Sequence, residues 1–510
     1  MPDFQRNGGS ADVTQQMIDT AKQQIDDYME RIPDFDESRY KGRGIVMIAG
    51  GPKYIACAYV NVNMVRDTGC TLPIELWHIG AFEMDDRAKA LFDGLGVEFV
   101  DCMDKLAEVP SRRVGGWEMN PYAIIHSRFE EIIFLDADNI PLIDLEELFD
   151  WPQYRERHAV FWPDFGRLGP ERSIWKLLQI EYRDECEFES GQIVVNKREC
   201  WNELNLTMCL NEYSDTYYQH IWGDKDTYHM AWRYLGTEYA MTPHLIHRLR
   251  STMCQHDFSG NIVFQHRNMD KFRLERTNAT IQGFRREPEC FAHLERLREL
   301  WDGVIELPLP TCREELVATA ELSNRTVEYI LDDKPPRRME FKSDGTIGEG
   351  SMEMERQWYI KKYGEALTLH ICNHKVTATL IDDGAGAWKG QWLGNEMFAT
   401  TIRMTDKSSL EAMDNVQMTK RLAGQDYLYV RVGFDRSACR FTEGGVVEGL
   451  GANERFWWVR TVNGVPVLNI AGSVKATPIC MLQECRDGIW RGLWTAHERM
   501  QIELIPRKDP

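Results

Sequence analysis

The stretch Ile132-Ile133-Phe134-Leu135-Asp136-Ala137-Asp138-Asn139 governs how the rest of the chain is read. Four consecutive apolar residues predict a strand buried on both faces, and two carboxylates at i and i+2 follow it directly. If the chain stays extended, both acidic side chains share one face; if it turns, their oxygens still converge on one cation. Hard oxygen ligands at the mouth of a parallel sheet suit Mn2+ or Mg2+ carrying a diphosphate, because the metal offsets charge that the leaving group develops. The same pair also reads as loop carboxylates capping a following helix.

Working outward, apolar runs at residues 44–49, 74–79, 97–100, 159–162 and 192–195 alternate with helical stretches at 54–68, 85–94, 122–129 and 226–235. That alternation predicts an α/β, Rossmann-like core. The first run ends in Gly50-Gly51-Pro52, with Lys53 and Tyr54 next. Such a tight strand-to-helix turn is a usual seat for ligand phosphates or bases. Residues 12–31 read as an amphipathic lead-in helix. A helical, charged stretch over 275–335 closes the core at Pro335-Pro336.

Beyond the proline pair the pattern becomes period-two and all-β. It repeats: Glu355-Arg356, Trp358-Tyr359 and Trp388-Lys389-Gly390-Gln391-Trp392 return as Glu454-Arg455, Trp457-Trp458 and Trp490-Arg491-Gly492-Leu493-Trp494, with Glu396 and Glu498 after each. The expected organisation is a lead-in over 1–40, a core over 41–335 and a β-rich region over 336–510, its two modules spanning about 336–404 and 425–506. The paired tryptophans read either as module cores or as platforms for stacking sugar rings, with Glu396 and Glu498 as partners.

The chain has 510 residues, 43% hydrophobic and 27% charged, with a formal net charge of −20. Such a surface repels nucleic acid and anionic lipid, although local cations or a metal still admit a nucleotide diphosphate. No run is apolar enough to span a membrane, and residues 1–19 lack an apolar leader core. The 13 cysteines form no C-x-x-C pair, so buried reduced thiols and a cytoplasmic location are expected. The sequons at Asn205, Asn278 and Asn324 then read as chance.

The D-x-D at Asp136 and Asp138 resembles that of GT-A fold glycosyltransferases. Its surroundings, Ser127-Arg128-Phe129-Glu130-Glu131 before it and Pro141 after it, resemble a mannosyltransferase family that includes fungal α-1,2- and α-1,3-mannosyltransferases. The likeness continues through residues 44–51, 69–80, 161–164, 189–197 and 223–232. It implies a retaining transferase that uses a divalent metal and a nucleotide-sugar donor, GDP-mannose foremost, with a glycan or glycolipid acceptor.

By similarity to glycogenin-type retaining enzymes, Glu189 and Gln192 line the donor sugar. Asp224 and Asp226 face donor sugar and acceptor, and any of Glu189, Asp224 or Asp226 supports the sugar's positive charge. His266 becomes the third metal ligand, beside Asp136 and Asp138, and Lys271 meets the diphosphate. By themselves Asp226 reads equally as a helix-capping carboxylate and His266 as a hydrogen-bonded structural residue.

Two departures stand out. The spacing from His266 to Lys271 is one residue shorter than the relatives' and lacks their glycine, and Asn120 stands where relatives commonly carry a lysine. Arg128 or Lys53 is then the substitute cation. The competing readings are a UDP-hexose donor, a nucleotidyltransferase using the same carboxylates, and a carbohydrate-binding protein without catalysis.

Overall fold

The computed structural model describes residues 12–507 except 324, 333, 344, 374, 394–398, 405–409, 463–464, 473–477, 486–487 and 495–499. Asn324, Glu396 and Glu498 therefore lie outside the described residues. The chain divides into two compact units, Met1–Glu306 and Leu307–Pro510.

In the first unit, β1 (Arg43–Ile48), β2 (Ile74–His78), β3 (Val97–Asp101) and β4 (Glu131–Leu135) run parallel. The strand β5 (Asn139–Pro141) leaves for a second sheet, while β6 (Ala159–Arg167), β7 (Cys186–Asn196) and β8 (Ala240–Met241) complete the first in the order β3-β2-β1-β4-β7-β6-β8. β7 runs antiparallel to β4. The sheet that presents the D-x-D is thus mixed, parallel on one side of β4 only. The small antiparallel sheet has the order β5-β11-β10-β9, built from β9 (His247–Leu249), β10 (Thr252–His256) and β11 (Ile262–His266).

Helices cover the mixed sheet as the apolar periodicity requires. Gly51–Asp67 starts with Pro52 in its first turn and ends on Arg66, both favourable to its ends, and is buried along most of its length. It packs against Glu287–Leu300. Asp224–Leu235 packs on β7, begins after Gly223 and stops at Gly236 in the left-handed region. The lead-in helix Gln15–Met29 is capped by the Thr14 hydroxyl and buries Ile18, Ala21 and Ile25. Among the described residues no helix is long and apolar enough to cross a membrane. All thirteen cysteines are free thiols, most of them buried.

The second unit begins before the proline pair. Residues 313–322 are helical, but β12 (Arg325–Leu331) and β13 (Arg337–Phe341) form a hairpin whose turn holds Pro335 and Pro336. Two residues without N–H groups cannot pair, so they punctuate strands here and do not end a helical tail. The strands β14 (Gln357–Tyr363), β15 (Ala366–Cys372), β16 (Val376–Asp382), β17 (Ala387–Trp392) and β18 (Ala399–Met404) complete a sheet ordered β13-β12-β18-β17-β16-β15-β14.

The second module repeats that order. Its strands are β19 (Gln425–Arg431), β20 (Asp435–Phe441), β21 (Val447–Glu448), β22 (Phe456–Val462), β23 (Val465–Ala471), β24 (Cys480–Glu484), β25 (Trp490–Trp494) and β26 (Met500–Pro506), ordered β21-β20-β19-β26-β25-β24-β23-β22. Trp388, Trp490 and Trp494 are buried in the two module cores, and Trp392 packs against the first. They are core residues rather than exposed sugar platforms. The glycine between each pair has a physical reason: a Cβ on Gly390 or Gly492 would lie 1.9 Å from a carbonyl oxygen of the adjacent strand.

Candidate metal and donor site

The Asp136–Asp138 segment turns between the two sheets of the first unit. The Asn139 N–H donates to the Asp136 carbonyl at 3.0 Å, closing a turn, and the Asp136 N–H reaches Gly191 O on β7 at 2.9 Å. Asn139 then pairs across β5–β11 with His266. That register carries the imidazole to the two carboxylates: Nε2 stands 3.6 Å from Asp136 and 3.5 Å from Asp138. The ligand atoms of Asp136, Asp138 and His266 all lie within 4.8 Å of one another. Asn61, on the helix Gly51–Asp67, donates to the Asp136 carbonyl at 3.0 Å and ties the turn down.

His266 is held from behind. Its Nδ1 lies 3.1 Å from Glu189, which also accepts from the Gly191 N–H at 3.0 Å and from the Gln192 amide at 2.5 Å. Gln192 in turn accepts from Asn139 at 2.6 Å. A carboxylate on Nδ1 fixes the tautomer that leaves Nε2 available to a metal. Gly191 makes this approach feasible, because a Cβ there would stand 2.6 Å from His266 Nδ1.

The electrostatics favour a bound cation. Burial first, then Asp138 and Glu189, push Asp136 up to about 7 against the pull of His266 and Lys271. Burial raises Asp138 too, but His266 and Lys271 outweigh it and hold that carboxyl well below the usual range. The buried Nε2 of His266 makes no hydrogen bond. An orphaned nitrogen beside two crowded carboxylates is the donor set a Mn2+ or Mg2+ ion would satisfy.

Basic groups stand beside the carboxylates. Lys271 pairs with the Asp138 carboxylate. Lys53 and Lys271 stand 4.9 and 5.6 Å from the centre of the Tyr54 ring. Burial lowers the Lys53 pKa, and Arg273 and Lys271 add to the effect. Lys53 and Lys271 thus flank one aromatic ring, an arrangement that suits a diphosphate. Gly50 and Gly51 make the turn that starts the helix carrying Lys53 and Tyr54; Gly51 has φ +74°, and a Cβ on Gly50 would strike Glu83.

The structure distributes the remaining sequence-expected residues differently. Arg128 lies at the opposite end of β4 from the acidic turn and pairs with Glu98 and Glu75. Five strand residues, at roughly 3.3 Å each, separate that end from Asp136, so Arg128 does not reach the acidic turn. Glu189 and Gln192 are buried and committed to His266 and Asn139 instead of lining open space. Asp226, in the first turn of its helix, accepts the N–H of Trp222, which precedes the N-cap Gly223, at 2.8 Å. Asp224 is held by the Asn120 amide at 2.9 Å. Burial pushes Asp224 up to about 6. Burial first, then the nearby carboxylates of Asp224 and Asp136, raise the Tyr228 phenol, whose buried hydroxyl makes no hydrogen bond.

Several contributors escaped the sequence reading. Asn61 left a signal, being one of two asparagines in the uncharged stretch 54–65 of its helix. Arg273 and Tyr228 left none that distinguishes them from neighbours. Arg267 is buried, pairs with Glu287 at 3.0 Å and donates to Asp270 O and Ala279 O, shaping the loop that carries Lys271.

A family model described as "Mannosyltransferase putative" matches residues 42–185 and 180–269. An α-1,2-mannosyltransferase (MNN24) of Candida albicans is 26% identical over 251 residues, 39% of this chain and 34% of that protein. An α-1,2-mannosyltransferase (MNN5) of Saccharomyces cerevisiae is 28% identical over 270 residues, 40% of this chain and 45% of that protein. The chain thus spans less than half the length of these relatives. Among solved structures, the galactosyltransferase LgtC, in complex with donor and acceptor sugar analogues, covers 52% of this chain and 97% of its own at 14% identity and a TM-score of 0.32. The mannosyltransferase Ktr4p of S. cerevisiae covers 46% and 76% at 11% identity and a TM-score of 0.28. By sequence, residues 42–269 are similar to the mannosyltransferase family.

Proposed function

We propose that the first unit is a metal-dependent, retaining hexosyltransferase that moves mannose, with GDP-mannose as the first donor to test, onto a glycan or glycolipid acceptor. The observation that carries this reading is a cluster in which metal-ligating and basic groups meet. Asp136, Asp138 and His266 converge, and Lys271, paired with Asp138, stands with Lys53 about the Tyr54 ring beside them. A nucleotide diphosphate bridging a divalent cation and a pair of ammonium groups fits that arrangement.

Asp136, Asp138 and His266 would hold the metal, which supplies Lewis-acid stabilisation of the departing diphosphate. Lys271 and Lys53 add positive charge where the leaving group accumulates negative charge. Glu189 keeps the His266 ring oriented and its Nδ1 engaged. Asp224, fixed by Asn120, is the carboxylate that offsets positive charge on the transferred sugar. A carboxylate in that role stabilises the oxocarbenium-like species without relocating a proton.

The test is donor hydrolysis by the full chain, with GDP- and UDP-sugars plus Mn2+, against Asp138→Ala. The expected result is metal-dependent turnover, fastest with GDP-mannose and lost in the variant. Faster turnover of a UDP-hexose would replace the donor assignment. No turnover of any sugar nucleotide, with wild type equal to Asp138→Ala, would sink the enzyme reading.

A further inference from the structure

The two β modules of the second unit share one strand order, so equivalent positions can be compared directly. In the first, Arg337 on β13 pairs in register with Tyr329 on β12. Its guanidinium lies 4.5 Å from the centre of the Tyr329 ring, binds both oxygens of buried Glu355 and donates to the Gly350 carbonyl. A planar cation is thus fully received by a carboxylate, a carbonyl and an aromatic face.

The second module keeps the receptor and lacks the cation. Tyr429 corresponds to Tyr329, Glu454 to Glu355 and Gly449 to Gly350. The glycine match is structural: Gly350 has φ +82° and abuts Arg338 O, and Gly449 has φ +85° and abuts Ala438 O. The residue paired with Tyr429 is Ser437. Where the first module is filled by an arginine side chain, the second has a cavity of about 270 Å³, lined by Tyr429, Arg431, Ser437, Glu454, Trp494 and the 449–451 turn.

Glu454 is buried and accepts from Tyr429. Arg431 lies on the cavity wall, but its guanidinium is committed to Asp435 through contacts of 2.8 and 2.5 Å. Arg431 therefore faces two carboxylates, Glu454 and Asp435, in the second module, whereas Glu355 and Arg337 pair one to one in the first.

We propose that the cavity of the second module is a binding site for a guanidinium group, the side chain of an arginine supplied by a ligand, which takes the place that Arg337 occupies in the first. Glu454 is its carboxylate partner, the Gly449 carbonyl its second acceptor and the Tyr429 ring its stacking face. The site stands apart from the transfer chemistry of the first unit, so its test needs no activity measurement.

The experiment titrates the full chain with N-acetylarginine methylamide by calorimetry and by tryptophan fluorescence, with the lysine analogue and mannose as comparisons. The expected result is saturable binding of the arginine derivative with a Kd on the order of 1 mM, stronger than that of the lysine analogue, and no saturation by mannose. Ser437→Arg, which installs the first module's own residue, should abolish binding while raising the melting temperature. Glu454→Gln should weaken binding by about tenfold or more. Circular dichroism of both variants guards against misfolding. Four results would overturn the proposal: no saturation at about ten times the expected Kd, equal binding by folded Ser437→Arg, equal affinity for the lysine analogue, or tighter binding of mannose.

Discussion

Glu118 shows how burial alone shapes a side chain in the first unit. It is 6% exposed, and burial pushes its carboxyl up to about 7. A carboxyl whose folded pKa exceeds its unfolded value contributes stability that is fully present below the unfolded pKa. That contribution is lost as pH rises through the folded pKa. Glu118→Gln should therefore match the wild type near pH 4 and become more stable above pH 7, by a few kcal/mol. Urea denaturation at both pH values checks this; an identical stability difference at the two would refute it. Glu189 raises a different question, since it acts through His266. Glu189→Gln should weaken Mn2+ binding by roughly 10- to 100-fold, measured by calorimetry, and a variant with unchanged affinity would remove Glu189 from the centre.

At the scale of elements, the centre exists because three pieces of backbone meet without side chains in the way. β5 and β11 set Asn139 opposite His266, β7 delivers Glu189, and Gly191 leaves the space between them. Gly191→Ala forces a methyl group against the imidazole. It should cost about 1–3 kcal/mol of stability and lower metal affinity, read by thermal melts with and without Mn2+. Retention of both would show that the ring has room to move. The strands themselves were legible, because β1 to β4, β6 and β7 each follow a short apolar run. The hairpin β12–β13 was not. Its proline pair resembles the end of a domain in sequence and is the turn of a hairpin in space.

Across the whole molecule, each β module of the second unit has its own apolar core, centred on tryptophans that are buried to a few per cent. Trp490→Ala removes one of the largest fully buried side chains and should destabilise that unit by about 3–5 kcal/mol. Because the metal ligands all belong to the first unit, Mn2+ affinity should not change. Chemical denaturation and a Mn2+ titration of the same variant test both halves. A parallel loss of metal affinity would contradict the division.

By itself, the sequence determined the α/β class of the core and the repeat of the β-rich region, and it singled out Asp136 and Asp138 as a candidate pair. Each is a local pattern: apolar runs ending in carboxylates, or tryptophans and glycines at a recurring spacing. Tertiary structure alone decided the rest. It moved Arg128 to the far end of β4, because strand length rather than sequence proximity sets reach. It turned Glu189 from the sugar toward His266, because β5 pairs with β11 some 120 residues away. It brought Lys53 and Lys271 to one Tyr54 ring from a helix start and a distant loop. The Asp136–Asp138 pair was readable because strand and ligands are contiguous; the groups that complete the centre meet only through long-range pairing, which leaves no mark in neighbouring residues.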